Sequence, residues 1–221
     1  MALRYRCLVL DHDDTITNSA AETNYPNMLV SLSILRPGME KDLTLHDFLM
    51  GTVNGYSEWV SERYGYTPEE IKWQYAFWKE SVMKNRPSFV EGMADFLTRF
   101  REAGGIICVA THSYRVMIET DFTKNCGFLP HYLNCWDDPV EHRKPYPYPI
   151  EEAMRRFGLE KKDILAVDDM LPGCRMANAA GVDFAAAMWC HRLPPIEEYM
   201  KEHAQYLLPS VAALEELVMG A

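Results

Sequence analysis

Five residues near the start of the chain, Asp11-His12-Asp13-Asp14-Thr15, set three carboxylates and a hydroxyl directly after the apolar run Leu8-Val9-Leu10. Acids at the end of a buried strand are costly to fold unless a cation or hydrogen-bond donors compensate them. The stretch therefore reads as a site. Two further apolar runs end in the same way: Ile106 to Ala110 stops at Thr111-His112-Ser113, and Ile164 to Val167 stops at Asp168-Asp169. Lys144 lies on the loop before the helix that leads to the second of these. Carboxylates clustered without histidine or thiolate ligands suit a hard, oxygen-preferring ion such as Mg²⁺. A metal, a lysine and a hydroxyl around one aspartate are the parts phosphoryl transfer uses, since that chemistry is mostly positioning and charge stabilisation. Asp13, two residues after Asp11, is placed to protonate a leaving oxygen and then activate water.

These residues need elements to bring them together. Short continuous apolar runs alternating with helical periodicity predict consecutive βα units and a doubly wound parallel sheet, whose strand ends at a switch point form the usual ligand crevice. Residues 20 to 86 break that rhythm and predict small helices. Leu29, Leu32 and Leu35 mark a first, Thr44 caps a second that stops at Gly51, and Asn54 or Ser57 opens a third that ends at Gly65. Thr67-Pro68-Glu69-Glu70 is a capping box with proline at the first helical position, opening a fourth helix with Ile71, Tyr75, Trp78 and Val82 on one face. Aromatic residues here read as packing between helices. Further on, the spacing predicts helices over 91–103, 114–125 and 150–157, a strand within 131–136, and a fifth strand over 182–188. A helix starting at Pro194-Pro195, a short apolar run at Tyr206-Leu207-Leu208 and a Ser210-capped helix complete the chain.

Bulk properties narrow the function classes. A chain of 221 residues accommodates one large domain or a core with a smaller one, and 48% hydrophobic residues rule out disorder as the default. The formal charge of −10 and the absence of a basic run exclude a nucleic-acid partner. Six scattered cysteines without a C-x-x-C pair read as free thiols in a reducing compartment. With neither a signal-peptide layout nor a membrane-length apolar stretch, the expectation is a soluble cytoplasmic protein, monomeric or homodimeric, with no membrane partner.

The ordered set Asp11-His12-Asp13-Asp14-Thr15, Thr111, Lys144-Pro145 and Val167-Asp168-Asp169, with Gly173 and Ala180-Gly181, resembles the four motifs of the haloacid dehalogenase superfamily. The resemblance implies a Rossmann-like core over residues 1–17 and 87–221, with an inserted α-helical cap domain over 18–86, as in phosphoglycolate phosphatases and β-phosphoglucomutases. It implies Asp11 as the nucleophile of an aspartyl-phosphate, Asp13 as general acid and base, Thr111 as a hydrogen-bond donor to the phosphoryl group, and Lys144 as its counter-charge. Mg²⁺ would be held by Asp11, Asp13 (through its carbonyl), Asp168 and Asp169. Thr15, His112 and Arg143 are the expected substrate-contacting residues.

Asp14 stands where the family usually has glycine, His12 where it has an apolar residue and His112 where it has asparagine. Both histidines read as hydrogen-bonded supports rather than transition-metal ligands. Asp13 favours phosphate esters over halides or phosphonates, because an alkoxide leaving group needs a proton donor there. The expected activity is hydrolysis of a small phosphorylated metabolite. Phosphosugar mutase is the alternative, disfavoured because Gly51-Thr52-Val53-Asn54-Gly55 lacks the distal-phosphate arginine. A non-catalytic binding or regulatory module is the remoter one.

Overall fold

Residues 3–53 and 55–220 are described by a computed structural model. The apolar runs become strands of one parallel sheet: β1 (Cys7–Leu10), β2 (Ile106–Ala110), β3 (Tyr132–Asn134), β4 (Ile164–Asp168), β5 (Asp183–Ala187) and β6 (Tyr206–Leu208), in the order β3-β2-β1-β4-β5-β6. Full burial of β1 and β4 explains why they read as continuous rather than alternating hydrophobics. Helices α5 (Met93–Glu102), α6 (Arg115–Cys126), α7 (Tyr148–Phe157), α8 (Leu171–Ala180), α9 (Pro194–His203) and α10 (Val211–Met219) connect or flank the strands. Leu8, Leu10, Phe96, Phe100, Phe122 and Phe184 lie fully buried in the core of this α/β unit. β1 sits centrally, with β2 on one side and β4 on the other. Strand order therefore reverses beside β1, and the carboxyl ends of β1 and β4 flank the switch point.

The chain forms two compact units, Met1–Thr17 with Phe89–Ala221, and Asn18–Ser88. Within the first, an antiparallel bridge joins Thr17 to Phe89, so the chain leaves and re-enters the sheet unit at one place. The second unit contains α1 (Tyr25–Leu35), α2 (Leu45–Thr52), α3 (Tyr56–Tyr64) and α4 (Pro68–Lys84). Thr67 and Glu70 form the reciprocal capping box at the start of α4, and Thr44 Oγ1 accepts from Asp47 N at the start of α2. Asn54 lies outside the described residues. α3 begins instead at Tyr56, after Gly55 in a positive-φ conformation.

Several local expectations change. Tyr206–Leu208, read as an apolar run, is a sixth strand paired with β5; three residues at a half-exposed edge carry no periodicity to reveal it. The helix expected from Glu91 starts at Met93, because Gly92 at φ 79 holds a left-handed turn just before it. In α4, Tyr75 is exposed and Gln74 buried, with Gln74 Nε2 donating to Ser31 Oγ of α1 at 2.9 Å. The packed face of α4 is thus rotated from the expected one, because the Gln74 Nε2 finds acceptors on α1 while the Tyr75 phenol stays at the surface. All six cysteines are free thiols. Among the described residues, no helix is long and apolar enough to cross a membrane.

Candidate active site

The loop after β1 is shaped by its own backbone. Asp11 N donates to Val167 O at 2.8 Å, carrying the β1–β4 pairing one residue further. The amides of Ile16 and Thr17 then both donate to His12 O, at 2.9 and 3.0 Å, which folds the loop back on itself. This turn places Asp14 at φ 56, in the left-handed region where aspartate is tolerated better than most side chains. The usual glycine of the resembling family fits the same requirement, so the aspartate here retains the turn and adds a carboxylate.

Lys144 joins the strand ends. Its Nζ donates to Asp11 Oδ1 at 2.8 Å and to Asp168 Oδ2 at 2.6 Å, and all three side chains are buried. Asp11, Asp168 and Asp169 present ligand atoms within 4.8 Å of one another. Burial, with the neighbouring acids, pushes Asp11 well above the ordinary carboxylate range despite Lys144. Burial likewise raises Asp168 to about 6 against the pull of Lys144, and Lys144 itself is raised because its two carboxylate partners outweigh desolvation. These opposed shifts describe acids crowded beyond what one ammonium can neutralise. An all-oxygen donor set in that condition fits a hard divalent cation.

Gly173, in the first turn of α8, keeps the crowding possible: a Cβ there would overlap the Asp168 carboxylate. Asp168 is also held by Met170 N, which donates to Oδ1 at 2.7 Å. Asp13 Oδ2 accepts from Ser113 Oγ at 2.5 Å, a contact between the loops after β1 and β2. Thr111 is almost fully buried, and its Oγ1 accepts from Ser113 N at 3.1 Å, fixing the turn that presents Ser113.

The expected substrate-contacting residues have structural partners. Thr15 is fully buried and gives its hydroxyl to Asp169 Oδ1 at 3.0 Å, so its part is to orient that acid. His112 Nε2 donates to Lys144 O at 3.0 Å, and burial together with Lys144 lowers its pKa to about 4, leaving it neutral at pH 7. The Arg143 guanidinium lies 4.1 Å over the Trp136 ring and donates to Trp136 O at 3.1 Å. His12 is fully buried with Nε2 at 3.1 Å from Asp121 Oδ2 of α6, an ionic contact rather than a well-aligned hydrogen bond. Two residues escaped the reading of the sequence. Ser113 adjoins a recognised motif residue and was visible as a hydroxyl after a strand, whereas His191, 2.8 Å from Asp169 Oδ2, follows a fifth strand with no signal of its own.

Comparison with known proteins agrees with this geometry. A family model described as haloacid dehalogenase-like hydrolase matches residues 5–181. A phosphoglycolate phosphatase from Xanthomonas campestris pv. campestris is 23% identical over 207 residues, covering 85% of each chain. Among solved structures, a HAD family hydrolase from Deinococcus radiodurans with bound phosphate and sodium aligns with TM-score 0.76 at 16% identity, covering 99% of both chains. CbbY from Rhodobacter sphaeroides, in complex with phosphate, aligns with TM-score 0.67 at 17% identity over 96% of this chain and 99% of that one. The two structural likenesses establish the fold, and the family match extends over the loops after β1, β2 and β4 together with Lys144. The chain therefore belongs to the haloacid dehalogenase-like hydrolase family.

Proposed function

We propose that the enzyme is a Mg²⁺-dependent phosphatase that hydrolyses a small phosphomonoester through an aspartyl-phosphate on Asp11. The observation that carries the reading is the buried bridge from Lys144 Nζ to both Asp11 and Asp168. A structural ion pair needs one partner, whereas an ammonium between two acids at three strand and loop ends orients one carboxylate oxygen and leaves the other for attack. Asp11, Asp168 and Asp169, with the Asp13 carbonyl, would hold Mg²⁺. When bound, the ion would neutralise phosphate charge near the attacking carboxylate.

The residues divide the work as follows. Asp11 attacks phosphorus while Asp13, oriented by Ser113, gives its proton to the departing alkoxide as the ester P–O bond breaks. Asp13 then takes a proton from water, whose oxygen attacks the phosphorus and releases Asp11 as a carboxylate and the product as inorganic phosphate. Lys144 offsets the charge on the phosphoryl group, and Thr15 and Met170 N keep Asp169 and Asp168 in place. The helical unit, inserted directly after the nucleophile loop, is assigned to substrate selection as a cap. Hydrolysis is preferred to phosphoryl transfer between sugar hydroxyls because Gly51 to Gly55 carries no arginine for a second phosphate.

The test is phosphate release from phosphoglycolate, sugar phosphates, nucleotides and p-nitrophenyl phosphate with Mg²⁺, for wild type and Asp11→Asn. The expected result is activity that EDTA abolishes and that Asp11→Asn lowers by about a thousandfold or more. Release that survives either treatment overturns the mechanism. Isomerisation of a phosphosugar without net phosphate release would establish the mutase instead.

A further inference from the structure

Asp169 faces two groups of potential ligands. One is the all-oxygen set with Asp11 and Asp168; the other is Asp14 and His191, whose donor atoms lie with that of Asp169 inside 4.8 Å. His191 Nε2 is 2.8 Å from Asp169 Oδ2 and 3.9 Å from Asp14 Oδ2. The three side chains are nine-tenths or more buried. Two donors each about 2.1 Å from a shared ion are about 3.0 Å apart at a right angle and about 3.9 Å apart at a wide one. Both observed separations suit one ion.

The surrounding chain builds this arrangement from two loops. Trp189 Nε1 donates to Thr15 O at 3.0 Å, and Cys190 Sγ to Thr17 O at 3.9 Å, which ties the segment after β5 to the loop after β1. Thr15 occupies Oδ1 of Asp169 and so directs Oδ2 toward His191.

We propose that Asp14, Asp169 and His191 form a second divalent-cation site of mixed nitrogen and oxygen character, adjoining the all-oxygen site and selecting a transition metal such as Mn²⁺, Co²⁺ or Zn²⁺ over Mg²⁺. Imidazole beside carboxylates favours these ions, while Mg²⁺ prefers oxygen alone. The inference extends the proposed function by sharing Asp169, but its readout does not depend on phosphate release.

Metal-free full-length protein, dialysed against Co²⁺ in excess Mg²⁺, provides the test, with bound cobalt quantified and its visible spectrum recorded. Wild type should retain one Co²⁺ per chain. His191→Gln and Asp14→Gly should weaken retention at least tenfold and change the spectrum, with circular dichroism confirming an unchanged fold. Asp14→Gly is chosen because glycine adopts φ 56 without strain. Asp11→Asn should retain Co²⁺ even as it abolishes hydrolysis, which separates this inference from the mechanism. Complete displacement of Co²⁺ by Mg²⁺, or the same retention and spectrum in His191→Gln, would overturn the site and leave His191 as a hydrogen-bond partner of Asp169.

Discussion

Asp121→Asn should remove a pH-dependent part of the stability of the sheet unit. Burial alone would lower the pKa of His12, but Asp121 and Asp13 outweigh it and hold the ring at about 9 against an ordinary 6.5. The folded state therefore binds this proton more tightly than the unfolded chain. The resulting stabilisation is complete below pH 6.5, declines as pH rises, and is lost above about 9. At about 1.4 kcal/mol per pKa unit the window spans on the order of 3 kcal/mol, comparable with the cost of breaking a buried ion pair. With asparagine at 121, one of the two carboxylates that outweigh burial is lost, so the ring's pKa falls and most of this pH-dependent stabilisation goes with it. The destabilisation relative to wild type should approach about 3 kcal/mol at pH 6 as an upper bound, since Asp13 remains, and fall toward zero by pH 9.5. Urea unfolding at intervals across that range, followed by circular dichroism, measures it. A constant difference between the two proteins at every pH would refute the reasoning, because it would mean that His12 carries no extra proton in the folded state.

Other expectations follow from single contacts. Gly173→Ala should lower kcat by about a hundredfold or more, since its Cβ would occupy the space of Asp168 Oδ2 and displace an acid that Lys144 holds and that the proposed Mg²⁺ site uses. Steady-state kinetics on a folded variant checks this. Ser113→Ala removes the hydroxyl that donates to Asp13 and should reduce kcat about tenfold with KM little changed. Thr67→Ala should cost the helical unit about 1 kcal/mol in thermal or urea unfolding through loss of the cap. Arg36 and the Thr67 amide hold Glu70 down to about 2, so that pair's contribution is full above the ordinary carboxylate pKa, declines as pH drops below it, and is gone by about pH 2, which urea unfolding across that range measures.

Much of the site was legible because its chemistry is concentrated at strand ends. Apolar runs such as Ile164 to Val167 are unmistakable where both faces of a strand are buried, and an abrupt acid pair after such a run has no folding advantage of its own. The ordering of Asp11, Thr111, Lys144 and Asp168-Asp169 along the chain thus points to the family, and with it the sheet, from local pattern alone. The capping box at Thr67 was equally plain, since both partners lie within four residues. Elements that depend on distant partners were not. Tyr206–Leu208 is a strand only because β5 offers an edge, and the packed face of α4 follows from how Gln74 meets Ser31.

The acidic loop illustrates the division most clearly. Residue types alone marked Asp11 to Thr15 as a candidate site and set its candidate partners after later strands. Tertiary structure decided what each group does there: that Thr15 serves Asp169, that Asp14 occupies a left-handed turn, that His12 pairs with Asp121, and that His191 reaches the same carboxylate as the candidate metal. The reason is physical. A strand end and its chemistry are encoded by neighbours in sequence, whereas the destination of a side-chain proton or lone pair depends on distances across the sheet that no local pattern carries.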